Sequence, residues 1–214
     1  MPPSIADLRR EYAGTPLLEE AVHPDAIAQF RAWFEEALSA EVVDPNAMTL
    51  ATATPDGRPS ARIVLLKGLD ARGFVFFTDY GSRKGRELEA NPHAALVFYW
   101  PELHRQVRVT GVVTRVPAEE SEAYFRSRPQ ASRLSAWTSR QSEPVASREE
   151  LEARRREAEA AFPDGDVPRP DRWGGFVLAP EAIEFWQGRT GRLHDRLRYT
   201  RRPDGGWRIE RLSP

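Results

Sequence analysis

Apolar positions along the chain follow two rhythms. Between Pro24 and Ala40 they recur every three or four residues, at Ile27, Phe30, Phe34, Ala37 and Leu38, with Trp33 widening the stripe. That spacing predicts an amphipathic helix with Asp25 as its N-cap. Upstream, residues 5–12 form a short charged segment, read as a loose arm. From Ala47 the rhythm becomes that of short strands. Stretches 48–54, 61–67 and 74–78 are separated by Pro55-Asp56-Gly57-Arg58 and Asp70-Ala71-Arg72-Gly73, which have turn chemistry. A short helix is expected over Arg83–Ala90, closed by Asn91-Pro92. Strands resume at 94–99 and 106–116, followed by helices at 118–126 and 147–161. Beyond the proline-rich loop 163–170, strands are expected at 175–178 and 183–187. A hairpin then follows, 195–200 with 207–212, over Pro203-Asp204-Gly205-Gly206.

Strand material flanks the helical stretch on both sides, which favours one sheet system closed by distant segments. The expected fold is mainly β with peripheral helices, a small antiparallel barrel rather than a βαβ repeat. Residues 1–214 are read as one domain, with 1–40 as a helical N-terminal arm and 118–170 as a mostly helical insertion.

Composition narrows the chemistry. The chain has 214 residues and no cysteine, which removes disulfides, thiolate nucleophiles and Cys-based metal sites. Its 31 basic and 32 acidic residues give a net charge of −1, no global field for a nucleic acid or an anionic membrane. The longest apolar run, 94–100, is far short of a membrane span, and the N-terminus has no signal-like apolar stretch. A cytoplasmic protein is expected. There is no dinucleotide or P-loop fingerprint and no nucleophile elbow. His23, His93, His104 and His194 include no pair at ligand spacing, so no metal site is expected. An enzyme with these absences would draw its reactivity from a bound organic cofactor.

Cations gather in three places. Arg62-Ile63-Val64-Leu65-Leu66-Lys67 alternates as a strand, with Arg62 and Lys67 on opposite faces, each needing an anion or water. Its bland alternative is a strand with both ends solvated. At Phe77-Thr78-Asp79-Tyr80-Gly81-Ser82-Arg83-Lys84 a strand ends and a helix begins with Ser82 as cap. Backbone N–H groups, a hydroxyl and two cations there could cradle a phosphate, or merely sit on a capped helix. Lys67 and Lys84 are the chain's two lysines. The third place is Trp186-Gln187-Gly188 followed by Arg192-Leu193-His194-Asp195-Arg196, read as a polar strand entry or a surface hairpin. Tyr124, Arg128 and Ser132, at i, i+4 and i+8, would share one face if a helix continued past Pro129. They suit a phosphate clamp and equally an amphipathic edge.

These pieces together resemble the pyridoxamine 5′-phosphate oxidase family. The resemblance spans nearly the whole chain. It runs from Leu8-Arg9-Arg10-Glu11-Tyr12 and Asp44-Pro45-Asn46-Ala47-Met48 through the two lysine segments to Arg105-Gln106-Val107. It continues with Tyr124-Phe125, Ser127-Arg128-Pro129 and Gln141-Ser142, and closes on Phe185-Trp186-Gln187-Gly188 and Arg192-Leu193-His194-Asp195-Arg196. The family implies an FMN-binding split antiparallel β-barrel, forming a homodimer with FMN at the interface. It implies oxidation of pyridoxine or pyridoxamine 5′-phosphate to pyridoxal 5′-phosphate by O2, releasing H2O2.

Carried over by position, the resemblance assigns FMN to Arg62, Ile63, Val64, Leu65, Leu66, Lys67, Phe77, Thr78, Arg83 and Lys84. It adds Gln106, Gln141, Ser142, Trp186 and Arg196. It assigns the substrate to Arg9, Arg10, Glu11, Tyr12, Lys67, Tyr124, Arg128, Ser132, Arg192, Leu193 and His194. Of these, Arg192 and His194 would act on the ring as catalytic residues. Two departures stand out: an added cation at Arg189 and an acidic Leu18-Glu19-Glu20. The rival readings are a related flavin oxidase of phenazine-type biosynthesis, a non-catalytic flavin- or haem-binding split barrel, and an arginine-rich nucleic-acid binder.

Overall fold

A computed structural model describes residues 4–8 and 11–214. Its described residues form one mainly antiparallel sheet system of nine strands with five α-helices around it. Along the chain these are α1 (Ala26–Ser39), β1 (Ala47–Ala53), β2 (Pro59–Leu65), β3 (Gly68–Asp70), β4 (Gly73–Asp79) and α2 (Arg83–Ala90). Then come β5 (His93–Trp100), β6 (Arg105–Arg115), α3 (Ala118–Ser127), α4 (Gln130–Thr138) and α5 (Arg148–Ala161). The chain finishes with β7 (Trp173–Gln187), β8 (Asp195–Arg201) and β9 (Trp207–Arg211). The strand order is β2-β1-β5-β6-β7-β4-β3, with β8 pairing β7 and β9. The expected mainly-β class with peripheral helices is thus met.

Local signals set the helix starts. Asp25 accepts the Ala28 N–H at 2.8 Å, and Ser82 accepts the Gly85 N–H at 3.2 Å, so both predicted caps form. Along α1, Phe30, Trp33 and Ala37 are buried, but Leu38 is 54% exposed and lies off the buried stripe. Two predictions need correction. The strands expected at 175–178 and 183–187 are one strand, β7. Its first half pairs with β4 from Phe74↔Leu178 to Asp79↔Trp173, its second half with β8 from Ala182↔Thr200 to Gln187↔Asp195. Pro180 falls between the two ladders, so its missing N–H breaks neither. Also, no helix carries Tyr124, Arg128 and Ser132 together. α3 stops at Ser127, Arg128 is extended, and Pro129 leads into the unpredicted α4.

The chain divides into two compact units. Among the described residues, unit one comprises 4–8, 11–50, 95–111 and 180–214; unit two comprises 51–94 and 112–179. Unit one has an aromatic core. Phe30 meets Phe98 edge-on at 4.9 Å, Trp33 meets Phe185 at 5.2 Å, and Phe185 meets Tyr199 at 5.3 Å. Unit two buries Phe74, Phe76, Leu88, Phe125, Phe176 and Leu178. Gly85 has a packing role there, because a Cβ would come within 2.2 Å of the Tyr80 carbonyl oxygen. Among the described residues no helix is long and apolar enough to cross a membrane.

Candidate active site

Unit two holds a cleft of about 450 Å³, within the range of about 300–1,000 Å³ usual for small-molecule sites. The end of β2 and its exit bring Ile63, Val64, Leu65 and Lys67 to it. β4 brings Phe77, Thr78 and Asp79, α2 brings Lys84, and α3 with its C-terminal junction brings Tyr124 and Arg128. Gln141 completes the predicted residues lining it. The remaining lining residues, Asp79, Ser135, Ala136, Ser139 and Trp173, were not predicted. Ser132 does not line the cleft; Ser135, one helical turn on, does.

The electrostatics of this cleft are one-sided. Lys84 is only 8% exposed. Its Nζ donates to Gln141 Oε1 at 2.5 Å and Thr78 Oγ1 at 3.2 Å, both neutral. Burial, and next the charge of Arg62, push its pKa below the ordinary lysine value. Burial likewise lowers Arg128. Among the described residues, neither Lys84, Arg128 nor Lys67 has an ion-paired carboxylate. The cleft's one acid, Asp79, is engaged by Arg172 at 3.1 Å. A site with three unpaired cations and polar neighbours suits an anionic ligand.

Beneath it lies a buried hub that was not predicted. Glu87, 6% exposed, accepts hydrogen bonds from Thr52 and Ser60 at 2.5 Å each, and from Arg83 Nε at 2.9 Å. Arg62 reaches it at 3.4 Å and also donates to Thr52 and Ser60. Arg62 and Arg83 therefore each have an internal carboxylate. Burial pushes Glu87 up, but bonds from Ser60, Thr52 and Arg83 outweigh it and hold the pKa at about 2. The start of α2 is also less open than the sequence suggests. The Ser82 N–H donates to Asp79 O, and the Arg83 N–H to Ser142 Oγ. An anion here would meet side chains more than backbone. Leu66 is buried.

The other predicted residues belong to unit one. Trp186 on β7 faces Arg196 on β8 in register, and Gln106 lies at the start of β6. Arg196 donates to Glu184 at 2.9 Å. His194 lies 4.7 Å from Trp186 and 5.6 Å from Tyr12, centroid to centroid. Its Nδ1 accepts the Arg189 N–H at 3.1 Å. Burial, and then Arg192, lower its pKa. Arg192 and Leu193 are exposed, and Arg192 has φ 64°, a left-handed backbone that costs about 1 kcal/mol outside glycine. Tyr12 also packs against His104 at 5.0 Å, and a Cβ on Gly188 would meet both residues at 2.9–3.0 Å. Glu11 is exposed; Arg9 and Arg10 lie outside the described residues. Asp195, not predicted as a site residue, ties this region together. It accepts from the Leu17 N–H at 3.1 Å and from Arg211 at 2.7 Å.

Known proteins place this arrangement. The family model described as pyridoxamine 5′-phosphate oxidase matches residues 34–161, and that described as pyridoxine 5′-phosphate oxidase C-terminal dimerisation region matches 173–214. The pyridoxine/pyridoxamine 5′-phosphate oxidase of Rubrobacter xylanophilus is 62% identical, covering 98% of this chain and 96% of that protein. A second such oxidase, from Ralstonia nicotianae, is 61% identical over 99% of both chains. Among solved structures, PhzG from Burkholderia lata, in complex with tetrahydrophenazine-1-carboxylic acid, is 33% identical with a TM-score of 0.88. It covers 94% of this chain and 100% of that one. A pyridoxamine 5′-phosphate oxidase-related, FMN-binding protein from Nostoc punctiforme shares the fold at 21% identity and TM-score 0.71, over 94% of this chain and 100% of that one. The split antiparallel barrel is therefore the fold. With family models matching residues 34–161 and 173–214 and identity near three-fifths over 98% of its length, the chain belongs to the pyridoxamine 5′-phosphate oxidase family.

Proposed function

We propose that this chain is an FMN-dependent oxidase that converts pyridoxine or pyridoxamine 5′-phosphate to pyridoxal 5′-phosphate, consuming O2 and releasing H2O2. The observation that carries the reading is the cleft in which Lys67, Lys84 and Arg128 meet without an ion-paired carboxylate. FMN suits these residues. A buried ammonium whose hydrogen-bond partners are neutral, as at Lys84, is relieved by a phosphate, and Arg62 and Arg83 stand beside it on the Glu87 hub. When bound, FMN supplies the two-electron acceptor that takes a hydride from the substrate's 4′-carbon and returns to its oxidised form with O2.

The chain's own task is placement. Lys84, Arg62 and Arg83 hold the cofactor phosphate. Ile63, Val64, Leu65, Leu66, Phe77, Thr78, Gln106, Gln141, Ser142, Trp186 and Arg196 hold the rest of the cofactor. Lys67, Tyr124 and Arg128 hold the substrate phosphate, with Ser132 assigned to it from one turn before the cleft-lining Ser135. Arg192 and His194, with Leu193 beside them, orient the pyridine ring. Fixing both phosphates removes most of the freedom of the two rings, and that is worth several orders of magnitude in rate. His194, kept neutral by burial, would carry its proton on Nε2, because its Nδ1 accepts from backbone. With the amine, hydrolysis of the imine product releases ammonia.

The proposal includes a cytoplasmic homodimer with FMN at its interface, each copy acting as one domain, with Arg9, Arg10, Glu11 and Tyr12 assigned to the substrate. Two features support the dimer: the match to a dimerisation region over 173–214, and the cleft-lining Ile63 and Leu65, 64% and 41% exposed, which a second copy would cover. The test is to purify the protein, size it by sedimentation, record its visible spectrum and add pyridoxine 5′-phosphate in air. A flavin spectrum with equal yields of H2O2 and pyridoxal 5′-phosphate is expected. Turnover of a reduced phenazine carboxylate alone would replace the substrate, and protein unable to bind flavin would overturn the reading.

A further inference from the structure

Most arginines of this protein are tethered by carboxylates, but Arg128 is held differently. Its guanidinium carbon lies 4.6 Å from the centroid of Trp173 and 5.5 Å from that of Phe125. Its Nη1 is buried and has no hydrogen-bond partner. Its backbone is the extended C-cap of α3, with its N–H donating to Phe125 O at 3.2 Å. Trp173 is held by several neighbours. It is 8% exposed, pairs with Asp79 across the sheet, stacks on Phe77 at 5.5 Å and 10°, and meets the Phe125 ring edge-on at 5.0 Å. Its N–H donates to Pro170 O at 2.9 Å, and its carbonyl accepts from Arg169 at 2.6 Å.

The choice of partner matters chemically. A carboxylate would hold Arg128 equally well, but it would compete with an incoming phosphate for the same charge and the same N–H donors. An indole face attracts the guanidinium through its quadrupole, orients the guanidinium plane, and leaves the N–H edge free for a two-point contact with a phosphate. We propose that Trp173 is a positioning residue that presents Arg128 to the substrate's phosphate monoester, and that it thereby sets the preference for phosphorylated over unphosphorylated substrate. This rests on the assignment of Arg128 to the substrate phosphate.

The test replaces Trp173, site-specifically, with tryptophans carrying one to four ring fluorines, which weaken the π face while nearly preserving its shape. Kinetics are measured on the FMN-loaded enzyme with pyridoxine 5′-phosphate and with pyridoxine. KM for the phosphorylated substrate should climb along the series, by about tenfold in total, with kcat within about twofold. The parameters for pyridoxine should stay level, so that selectivity falls by the same factor. Trp173→Phe should keep most of the selectivity and Trp173→Leu lose it. A flat series, in an enzyme where Arg128→Ala does raise that KM, would overturn the role of Trp173 and keep that of Arg128. Equal losses on both substrates would mean that the ring supports the fold or the pyridine, and would also overturn it. Selectivity unchanged in Arg128→Ala would remove the assignment on which the proposal stands.

Discussion

The two units use the same kind of side chain for opposite ends. In unit one, Arg105 is clamped by Glu36 at 2.7 Å, and Arg211 by Glu19 and Asp195 at 2.7 Å each. These arginines sew distant segments together. In the cleft of unit two, Lys67, Lys84 and Arg128 have no such acid among the described residues, and Lys84 and Arg128 are held by neutral oxygens or aromatic faces instead. A carboxylate on a distant segment, held by one arginine, makes that arginine a tether, whereas Glu87 is shared between Arg62 and Arg83. The absence of a carboxylate leaves a charge whose desolvation is offset only when an anion arrives. Arg192 departs from that pattern in unit one: it is exposed, has no ion pair among the described residues, and has a left-handed backbone.

That contrast is tested first at Arg192. Arg192→Ala should lower kcat/KM by roughly a hundredfold or more, because ring orientation is lost, with FMN still bound and its visible spectrum unchanged. Turnover close to wild type would return Arg192 to the surface. Next, Lys84→Met should weaken FMN by about 30- to 100-fold and riboflavin hardly at all, since the lost contact is charge-assisted and made only to phosphate. Titration with both flavins reads this directly. A tether should behave otherwise: Arg211→Met should leave FMN affinity within about twofold while lowering Tm. If the two variants affect FMN alike, the distinction between tether and binding cation fails.

The parts of this division that depend on neighbours along the chain are legible in the sequence. The caps Asp25 and Ser82 and the α2 boundaries rest on local spacing, and they stand where the pattern puts them. Two prolines carry more than their local chemistry reveals. Each marks a change of partner, Pro129 opening α4 and Pro180 separating the two ladders of β7. Trp173 and Glu87 are invisible in the sequence as parts of the site, both for the same physical reason. Glu87 meets Arg62 across 25 residues of chain, and Trp173 looks like core until its face is seen under Arg128. No periodicity encodes a contact that only the folded sheet creates.

Glu87 sharpens the comparison from the stability side. Its carboxyl has a folded pKa of about 2, against 4.5 ordinarily. A depressed carboxylate stabilises the native state above its unfolded pKa, and that contribution is lost as pH falls from 4.5 through about 2. Its size is on the order of 3 kcal/mol. Glu87→Gln should therefore unfold at lower urea than wild type at pH 7, and the gap should close as the pH is lowered toward about 3. A gap that persists undiminished there would show that the ionised carboxylate is not what binds the hub together.

The smallest effect expected concerns His194. Burial, and then the charge of Arg192, lower its pKa below 6.5, so the ring is neutral at pH 7. A histidine depressed on folding contributes stability fully present above its unfolded pKa and lost as pH falls through the folded one. Removing Arg192 takes away the lesser cause and leaves the greater. In Arg192→Ala the imidazole pKa, followed by NMR of the ring nitrogens, should rise part of the way toward 6.5 and stop short. The proton should remain on Nε2, because the Arg189 N–H still occupies Nδ1. A full return to 6.5 would mean that Arg192, and not burial, holds the ring neutral. No movement would mean that the exposed guanidinium and the imidazole do not sense each other, and that Arg192 acts on the substrate alone.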